Sequence, residues 1–171
     1  MPSSEEKRAA IIDRLAHALR DQGLGQTGLR GLATLAGTSD RMLIYYFGNK
    51  ETLLRDVLDA MTAQISTILD EHLGNAQWDE DRLLQQLIQF GISPPFKPYV
   101  QLWFEIVGLA IRAQEPFASV NKHLNQNWLD WIGQKLVPEA RHRAEPLYIT
   151  LQGELLHRLT QGSDDIISGK S

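Results

Sequence analysis

Two short helical patterns separated by a break at Gly37 constrain the fold more than any other feature of this chain. Downstream of the break, Leu43 and Phe47 are four residues apart and share one face of a helix. Gly37 suits the left-handed end of a first helix, and Ser39 suits the N-cap of a second. The spacing predicts two helices joined by a turn of about three residues, the arrangement of a helix-turn-helix. The apolar residues of the first pattern are Leu29, Leu32, Ala33 and Ala36.

Helical spacing continues along the rest of the chain, and no stretch alternates apolar and polar residues long enough to predict a strand. The sequence therefore predicts an all-α protein. Asn49 and Asp79 are the expected N-caps of a fourth and a fifth helix. Pro146 either starts or kinks the last helix, and the tail from Gln161 is expected to fray. The predicted helices cover about residues 5–22, 28–36, 39–47, 49–73, 79–92, 98–113, 117–136 and a last segment ending near 160.

Composition and charge narrow the functional classes. The chain has 171 residues, no cysteine and a pI near 5.7, so disulfides and thiolate metal sites are excluded. Residues 1–55 hold eight Lys or Arg against six Asp or Glu, whereas residues 56–171 hold nine against fifteen. A basic end on an acidic body is typical of a protein that presents one face to phosphates. Apolar runs such as residues 106–111 are too short to cross a bilayer, and we expect a cytoplasmic protein without a membrane partner.

The third predicted helix has an outward face suited to double-stranded DNA. If Leu43 and Phe47 point inward, the residues that meet a partner are Asp40, Arg41, Ile44 and Tyr45. An arginine such as Arg41 grips guanine O6 and N7 or a phosphate, and the ring and hydroxyl of Tyr45 suit a thymine methyl, a base edge or a phosphate. This face predicts a helix that reads DNA in the major groove.

Flanking residues fit contacts with the DNA backbone. Arg30, Tyr46 and Lys50 are spaced to reach phosphates on either side, and the N-terminus of the fourth helix adds backbone amides there. Asp40 favours the positive end of its own helix, or else accepts from a cytosine amino group. The alternative interpretation is that these residues are ordinary solvated charges and amphipathic surface rings.

From about residue 7 to residue 61 the chain resembles the DNA-binding domain of the tetracycline-repressor-like (TetR) family of bacterial regulators. The resemblance implies an all-helical homodimer in which residues 1–50 bind operator DNA. It implies that residues 51–171 dimerise and bind a small molecule that weakens the DNA complex. The matching residues are Gly23, Thr27, Arg30, Leu32, Ala33, Ala36, Gly37, Ser39, Leu43, Tyr46, Phe47, Lys50, Glu51, Leu53 and Leu54.

Two positions depart from the family pattern within the third helix. Met42 stands where the family has Thr, and Ile44 stands where it has a Tyr whose hydroxyl contacts a phosphate. Loss of one such hydrogen bond is expected to weaken binding without abolishing it. Met42 packs on a thymine methyl or turns inward. The residues expected to bind DNA are Thr27, Arg30, Ser39, Asp40, Arg41, Met42, Ile44, Tyr45, Tyr46 and Lys50.

The resemblance also implies a ligand pocket and a dimer interface in the aromatic-rich C-terminal half. The residues expected to line the pocket are Phe90, Tyr99, Trp103 and Phe104. Such a wall favours an apolar or aromatic ligand, and Glu105, if it faces inward, would select a cationic one. The residues expected at the dimer interface are Trp128, Trp131, Leu151, Gly153, Leu155 and Leu159, with an intramolecular core as the alternative.

No motif in the sequence predicts an enzyme or a cofactor. Glu154 and His157 have the spacing of di-iron helical bundles, but such a site also needs further glutamates on facing helices, and the sequence gives no sign of them. The sequence therefore predicts a ligand-responsive, homodimeric repressor of an inverted-repeat operator. The alternative is a helical protein-interaction module that retains the helix-turn-helix but acts mainly through protein partners.

Overall fold

The computed structural model describes residues 1–25 and 28–161 of the chain. Over these residues it is helical, with no strand beyond an isolated bridge between Trp78 and Leu136, so the predicted all-α class is confirmed. Thr27 and the tail expected to fray after Gln161 lie outside the described residues. The elements are α1 (Ser4–Gln22), α2 (Leu29–Ala36), α3 (Asp40–Phe47), α4 (Lys50–Leu73), α5 (Glu80–Ile92), α6 (Lys97–Ile111), α7 (Phe117–Lys135), a 3₁₀ helix (Pro138–Arg143) and α8 (Ala144–Gln161).

The chain divides into two compact units. Unit 1 comprises Met1–Gly74 and Glu105–Gln126, and unit 2 comprises Asn75–Phe104 and the chain from Asn127 onward. Within unit 1, α4 packs against α1 and α3. The boundary between functional domains after residue 50 stays a prediction.

The core of the N-terminal helices forms where the apolar spacing predicts it. Helix α1 begins with a capping box in which the Ser3 hydroxyl accepts the Glu6 N–H and the Glu6 carboxylate accepts the Ser3 N–H. Its apolar face packs on α2 and α4. The fully buried side chains of this core include Leu15, Leu19, Leu32, Leu43, Leu53 and Leu54. Removing such large apolar groups from water is the main stabilising term of a small helical unit.

The turn between α2 and α3 is fixed by local and distant contacts. Gly37 has φ 65° and ψ 38°, the left-handed conformation that ends α2. The Ser39 hydroxyl accepts the Met42 N–H at 3.3 Å and caps α3. From α1, the Nη1 atom of Arg14 donates to the Ala36 carbonyl at 3.2 Å, which satisfies one of the last acceptors of α2. The predicted helix-turn-helix is confirmed, and Arg14 supports it from outside the motif.

Helix α4 begins at the predicted cap. The Asn49 side chain accepts the Thr52 N–H at 2.8 Å, and the apolar stripe is buried as far as Met61. Farther along, Ile65 is half-buried and Ile68 is exposed, so the buried stripe is interrupted there.

Unit 2 contains α5 packed against α8. Asp79 caps α5 as predicted, with its carboxylate accepting the Arg82 N–H at 3.0 Å. Gly91 on α5 leaves the space that the Leu155 side chain of α8 occupies. Pro146 is the third residue of α8, so this proline starts the helix and does not kink it.

Candidate nucleic-acid interface

Helix α3 presents an exposed polar and apolar face above a buried one. Leu43 and Phe47 are 1% and 5% exposed, whereas Ile44 and Tyr45 are 43% and 71% exposed and Arg41 is exposed. Because Arg41, Ile44 and Tyr45 occupy positions i, i+3 and i+4, they share one side of the helix. The predicted orientation of α3 is confirmed, and the role of each side chain in DNA binding stays a prediction.

Two aromatic contacts involve the side chains of α3, one with a cation on α1 and one between two tyrosines of α3 itself. The guanidinium of Arg8, on α1, lies 4.9 Å from the centre of the Phe47 ring and also pairs with Asp56 on α4. On the exposed side, the Tyr45 and Tyr46 rings meet edge to face at 5.1 Å. The Arg8 contacts connect α3 with α1 and α4, whereas the contact between the two tyrosines lies within α3.

The arginines of unit 1 divide into those with internal partners and those without one. Arg14 binds the Ala36 carbonyl, and Arg55 pairs with Glu51 at 2.7 Å. Within residues 1–25 and 28–161, neither Arg30 nor Arg41 has an ion-pair partner, and both are exposed. Their charges are therefore open to an anionic partner.

Lys50 stands at the first position of α4 in a less exposed setting than the sequence suggests. Its Nζ atom lies 5.3 Å from the centre of the Phe117 ring, at the start of α7. Partial burial lowers the pKa of the Lys50 ammonium below its ordinary value. A phosphate beside Lys50 would have to compete with this ring or share the ammonium with it.

The remaining expected DNA-binding residues are placed as follows. Asp40 is exposed in the first turn of α3, and Ser39 serves as the N-cap of that helix. Met42 and Tyr46 are half-buried. Of the two departures from the family pattern, Ile44 therefore reaches the surface and Met42 turns partly inward.

Glu105 requires a correction. The sequence suggested a pocket residue that selects a cationic ligand, but its Oε2 atom accepts the Leu24 N–H at 2.6 Å, in the loop after α1. The carboxylate also occupies the space that a Cβ atom on Gly23 would need. Glu105 therefore holds the end of α1, and no local sequence pattern signals a contact between residues so far apart.

The other expected pocket residues form two aromatic groups in unit 2. Phe90 and Phe96 have ring centres 3.7 Å apart, and Tyr99 lies 6.1 Å from Phe96. Trp103 stacks on Phe104 at 5.3 Å and on Tyr148 at 5.6 Å. Burial of Tyr148 raises the pKa of its hydroxyl. Phe96 and Tyr148 belong to these groups although no sequence pattern distinguishes them from other aromatic residues.

Trp103 carries an unsatisfied polar atom. Its Nε1 atom is buried and has no hydrogen-bond partner in the described parts of the chain. Burying an N–H group without an acceptor carries a free-energy cost.

The expected dimer residues lie on both faces of the C-terminal helices. Leu151 and Leu155 are buried inside unit 2, so the prediction that they anchor a dimer is corrected to the intramolecular core. Trp128, Trp131 and Leu159 are half-buried, and the two tryptophans meet edge to face at 5.7 Å. Open space surrounds Gly153.

Two exposed apolar residues of α8 are not among the residues expected at the dimer interface. Ile149 and Leu156 are 61% and 47% exposed, and together with Gly153 they occupy positions i, i+4 and i+7 on one side of the helix. This side, defined by Ile149, Gly153 and Leu156, is called the α8 stripe below. The sequence has apolar residues on both sides of α8. Only the burial of Leu151 and Leu155 shows that the stripe is the side that faces solvent.

No metal cluster accompanies the Glu154 and His157 spacing. The Glu154 carboxylate pairs with Arg158 at 3.2 Å on the same helix. In the part of the chain that is described, no three His, Cys, Asp or Glu side chains are grouped to hold a metal ion. Among the same residues, no helix combines the length and apolar character that a bilayer span requires.

Comparison with known proteins places the N-terminal helices in a family. Residues 11–57 match the family described as bacterial regulatory proteins, tetR family. A stretch of 80 residues is 31% identical to ArpR and 30% identical to TtgR, both of Pseudomonas putida. Both are named as HTH-type transcriptional regulators. The stretch covers 47% of this chain and 36% of each relative, so the similarity spans about a third of the relatives' length.

Two crystal structures share the fold over most of the chain. A protein from Rhodococcus sp. described as a TetR-family transcriptional regulator has a TM-score of 0.71 at 20% identity, covering 92% of this chain and 89% of its own. A transcriptional regulator from Rhodococcus sp. Rha1 has a TM-score of 0.61 at 19% identity, covering 91% and 83%. At these identities the likeness concerns the fold.

The α2–α3 pair, with the exposed face of α3 above a buried core, defines a helix-turn-helix DNA-binding domain. Residues 11–57 match the TetR family of bacterial regulatory proteins, and this match agrees with the resemblance predicted from the sequence of the N-terminal helices.

Proposed function

We propose that this protein is a ligand-responsive transcriptional repressor that binds an inverted-repeat DNA operator as a homodimer. The observation that carries the proposal is the outward face of α3, where Arg41 and Tyr45 are exposed above buried Leu43 and Phe47 within the segment that matches the family. An eight-residue helix with such a face has the size and chemistry to enter the major groove.

Each exposed group has a distinct role in the proposed complex. Arg41 reads a guanine or holds a phosphate, and Tyr45 contacts a base edge or a methyl group. Arg30 and Lys50 bind the backbone, and the free amides at the start of α4 add a partial positive charge. Asp40 stabilises the start of α3 and supplies no attraction for phosphate.

The α8 stripe supports dimerisation. Ile149 and Leu156 expose apolar surface on either side of Gly153, and the lack of a side chain at Gly153 lets a second helix approach closely. A two-fold axis through this stripe would pair it with its own copy, which buries apolar surface on both helices. Two α3 helices would then enter successive major grooves roughly 34–36 Å apart.

The aromatic groups of unit 2 support an apolar or aromatic effector. Trp103 offers stacking and an unsatisfied N–H to such a molecule. To change operator occupancy substantially, the effector must favour the released state by a few kcal/mol.

Binding to duplex DNA at increasing salt tests the proposal. Duplexes are first selected from fragments of the source genome and then measured by fluorescence anisotropy between about 50 and 200 mM salt. Steep loss of affinity with salt supports DNA binding. Salt-independent, weak association would instead favour a module that acts through protein partners.

Variants separate base reading from backbone binding. Arg41→Ala should weaken the selected duplex by about 1–3 kcal/mol for each lost base contact and should relax the sequence preference. Lys50→Ala should weaken all duplexes alike and reduce the salt slope by about one for each protomer. Arg82→Ala, whose side chain is 78% exposed on α5, serves as the matched control. If Arg41→Ala and Lys50→Ala bind like the control, the assigned DNA-binding face is wrong.

A further inference from the structure

We infer that α3 selects operators in part by an apolar contact between Ile44 and the methyl group of thymine. This inference rests on the proposed function and identifies a specificity-determining residue within it. The observation that motivates it is an isoleucine 43% exposed beside Arg41 and Tyr45, on the side of α3 that faces away from the core.

The placement of Ile44 is unusual for its side chain. The adjacent Leu43 is 1% exposed, so α3 already has an apolar anchor at that level of the helix. A β-branched residue also has a lower helix propensity than most polar residues that would suit an exposed position. Part of the Ile44 side chain nevertheless stays in contact with water in the folded protomer, and a partner surface is the place where these exposed apolar atoms would gain contacts.

The chemistry of the major groove defines what Ile44 can recognise. The side chain has no donor or acceptor, and the thymine C5 methyl is the one apolar group among the base-pair features of that groove. A cytosine amino group or a guanine oxygen placed against Ile44 would lose water without gaining a hydrogen bond. An isoleucine at this position therefore favours thymine and disfavours bases that present polar edges.

Neighbouring side chains shape the same surface. The Tyr45 ring meets the Tyr46 ring edge to face, and Ile44 and Tyr45, which are adjacent in the sequence and both exposed, form an apolar ledge on α3. Arg41 lies four residues before Tyr45 on the same side of α3. Beside that ledge, its guanidinium would donate hydrogen bonds to a guanine edge or a phosphate. The arrangement favours a half-site in which a guanine or a phosphate contact adjoins a thymine.

Replacing thymine by deoxyuridine removes the methyl group and keeps every Watson–Crick hydrogen bond. The probe is the tightest duplex that the full-length protein selects from a randomised library of duplexes of about 30 base pairs. It is resynthesised with one thymine of each half-site replaced by deoxyuridine, position by position. A buried methyl-sized contact is worth about a fourfold change in affinity, so loss of one in each half-site should raise the Kd about fifteenfold. Only the positions against Ile44 should respond.

Ile44→Ala completes the cycle. At the responsive position this variant should bind the thymine and deoxyuridine duplexes with nearly equal Kd, whereas Ile111→Ala, at another exposed isoleucine, should discriminate like wild type. If wild type shows no deoxyuridine effect at any position, or if Ile44→Ala keeps the full effect, the inference is wrong while DNA binding stands. If no duplex is selected and binding does not depend on salt, the proposed function itself fails.

Discussion

The contact between Glu105 and the loop after α1 permits a quantitative test. The carboxylate accepts the Leu24 N–H at 2.6 Å in a partly buried place. Hydrogen bonds to charged groups contribute about 1.5–3 kcal/mol. Because Glu105 is otherwise exposed to water, we expect Glu105→Ala to lower the free energy of unfolding by the lower part of that range, about 1.5–2 kcal/mol.

Gly23 makes the test specific. Its φ of 69° and ψ of −164° lie in a region adopted essentially by glycine alone, and a Cβ there would overlap the Glu105 carboxylate. Gly23→Ala should therefore cost about 1–3 kcal/mol from the backbone, and it should also disturb the Leu24 hydrogen bond. In the double variant, Glu105→Ala already removes both the hydrogen bond and the overlap. The decrease in the free energy of unfolding of the double variant should therefore be about 1 kcal/mol smaller than the sum of the decreases in the two single variants.

Urea denaturation followed by circular dichroism measures these losses, and amide hydrogen exchange at Leu24 reports the hydrogen bond directly. Glu105→Ala should speed exchange at Leu24, and Glu105→Gln, which keeps an acceptor oxygen, should do so less. Glu139→Ala, at an exposed glutamate of the 3₁₀ helix, is the control. Unchanged exchange at Leu24 in Glu105→Ala, together with additive losses in the double variant, would refute the reasoning.

Two further predictions concern unit 2. Leu156→Glu places a charge on the α8 stripe and should convert a dimer to a monomer in sedimentation velocity, whereas Thr150→Glu, at an exposed site of the same helix, should not. A Leu156→Glu dimer would show that the stripe is not the interface. Because burial raises the pKa of Tyr148, its neutral form is favoured in the folded state, so its contribution to stability is full below the ordinary tyrosine pKa and is lost as the pH rises above it. Tyr148→Phe should therefore lose less unfolding free energy between about pH 8 and pH 11 than wild type, measured by urea denaturation, and equal losses would contradict this.

The local features of the fold were predictable because each depends on residues close together in the chain. Ser39, Asn49 and Asp79 cap the helices that they were expected to cap, since a cap needs only the next three residues. The outward face of α3 followed from Leu43 and Phe47 in the same way. The spacing of apolar residues was sufficient to predict the buried face wherever one face of a helix was clearly more apolar than the other.

The features that escaped prediction depend on contacts between distant segments or on a choice between two apolar faces. Glu105 meets Leu24 across 81 residues, and no spacing rule connects them. Helix α8 has apolar residues on both sides, and only its packing against α5 shows that Leu151 and Leu155 are inside while Leu156 is outside. Helical periodicity identifies the apolar faces of a helix, but it cannot tell which of two apolar faces is buried.

The support that Arg14 gives to the turn has a consequence for engineering. Its guanidinium binds the Ala36 carbonyl and lies 3.0 Å from where a Cβ on Gly37 would be. Arg14 belongs to α1, which precedes the two-helix motif. A transplant of residues 28–48 into a foreign scaffold would carry the side chains proposed to face DNA but would lose this contact with the turn, so a chimera should include α1.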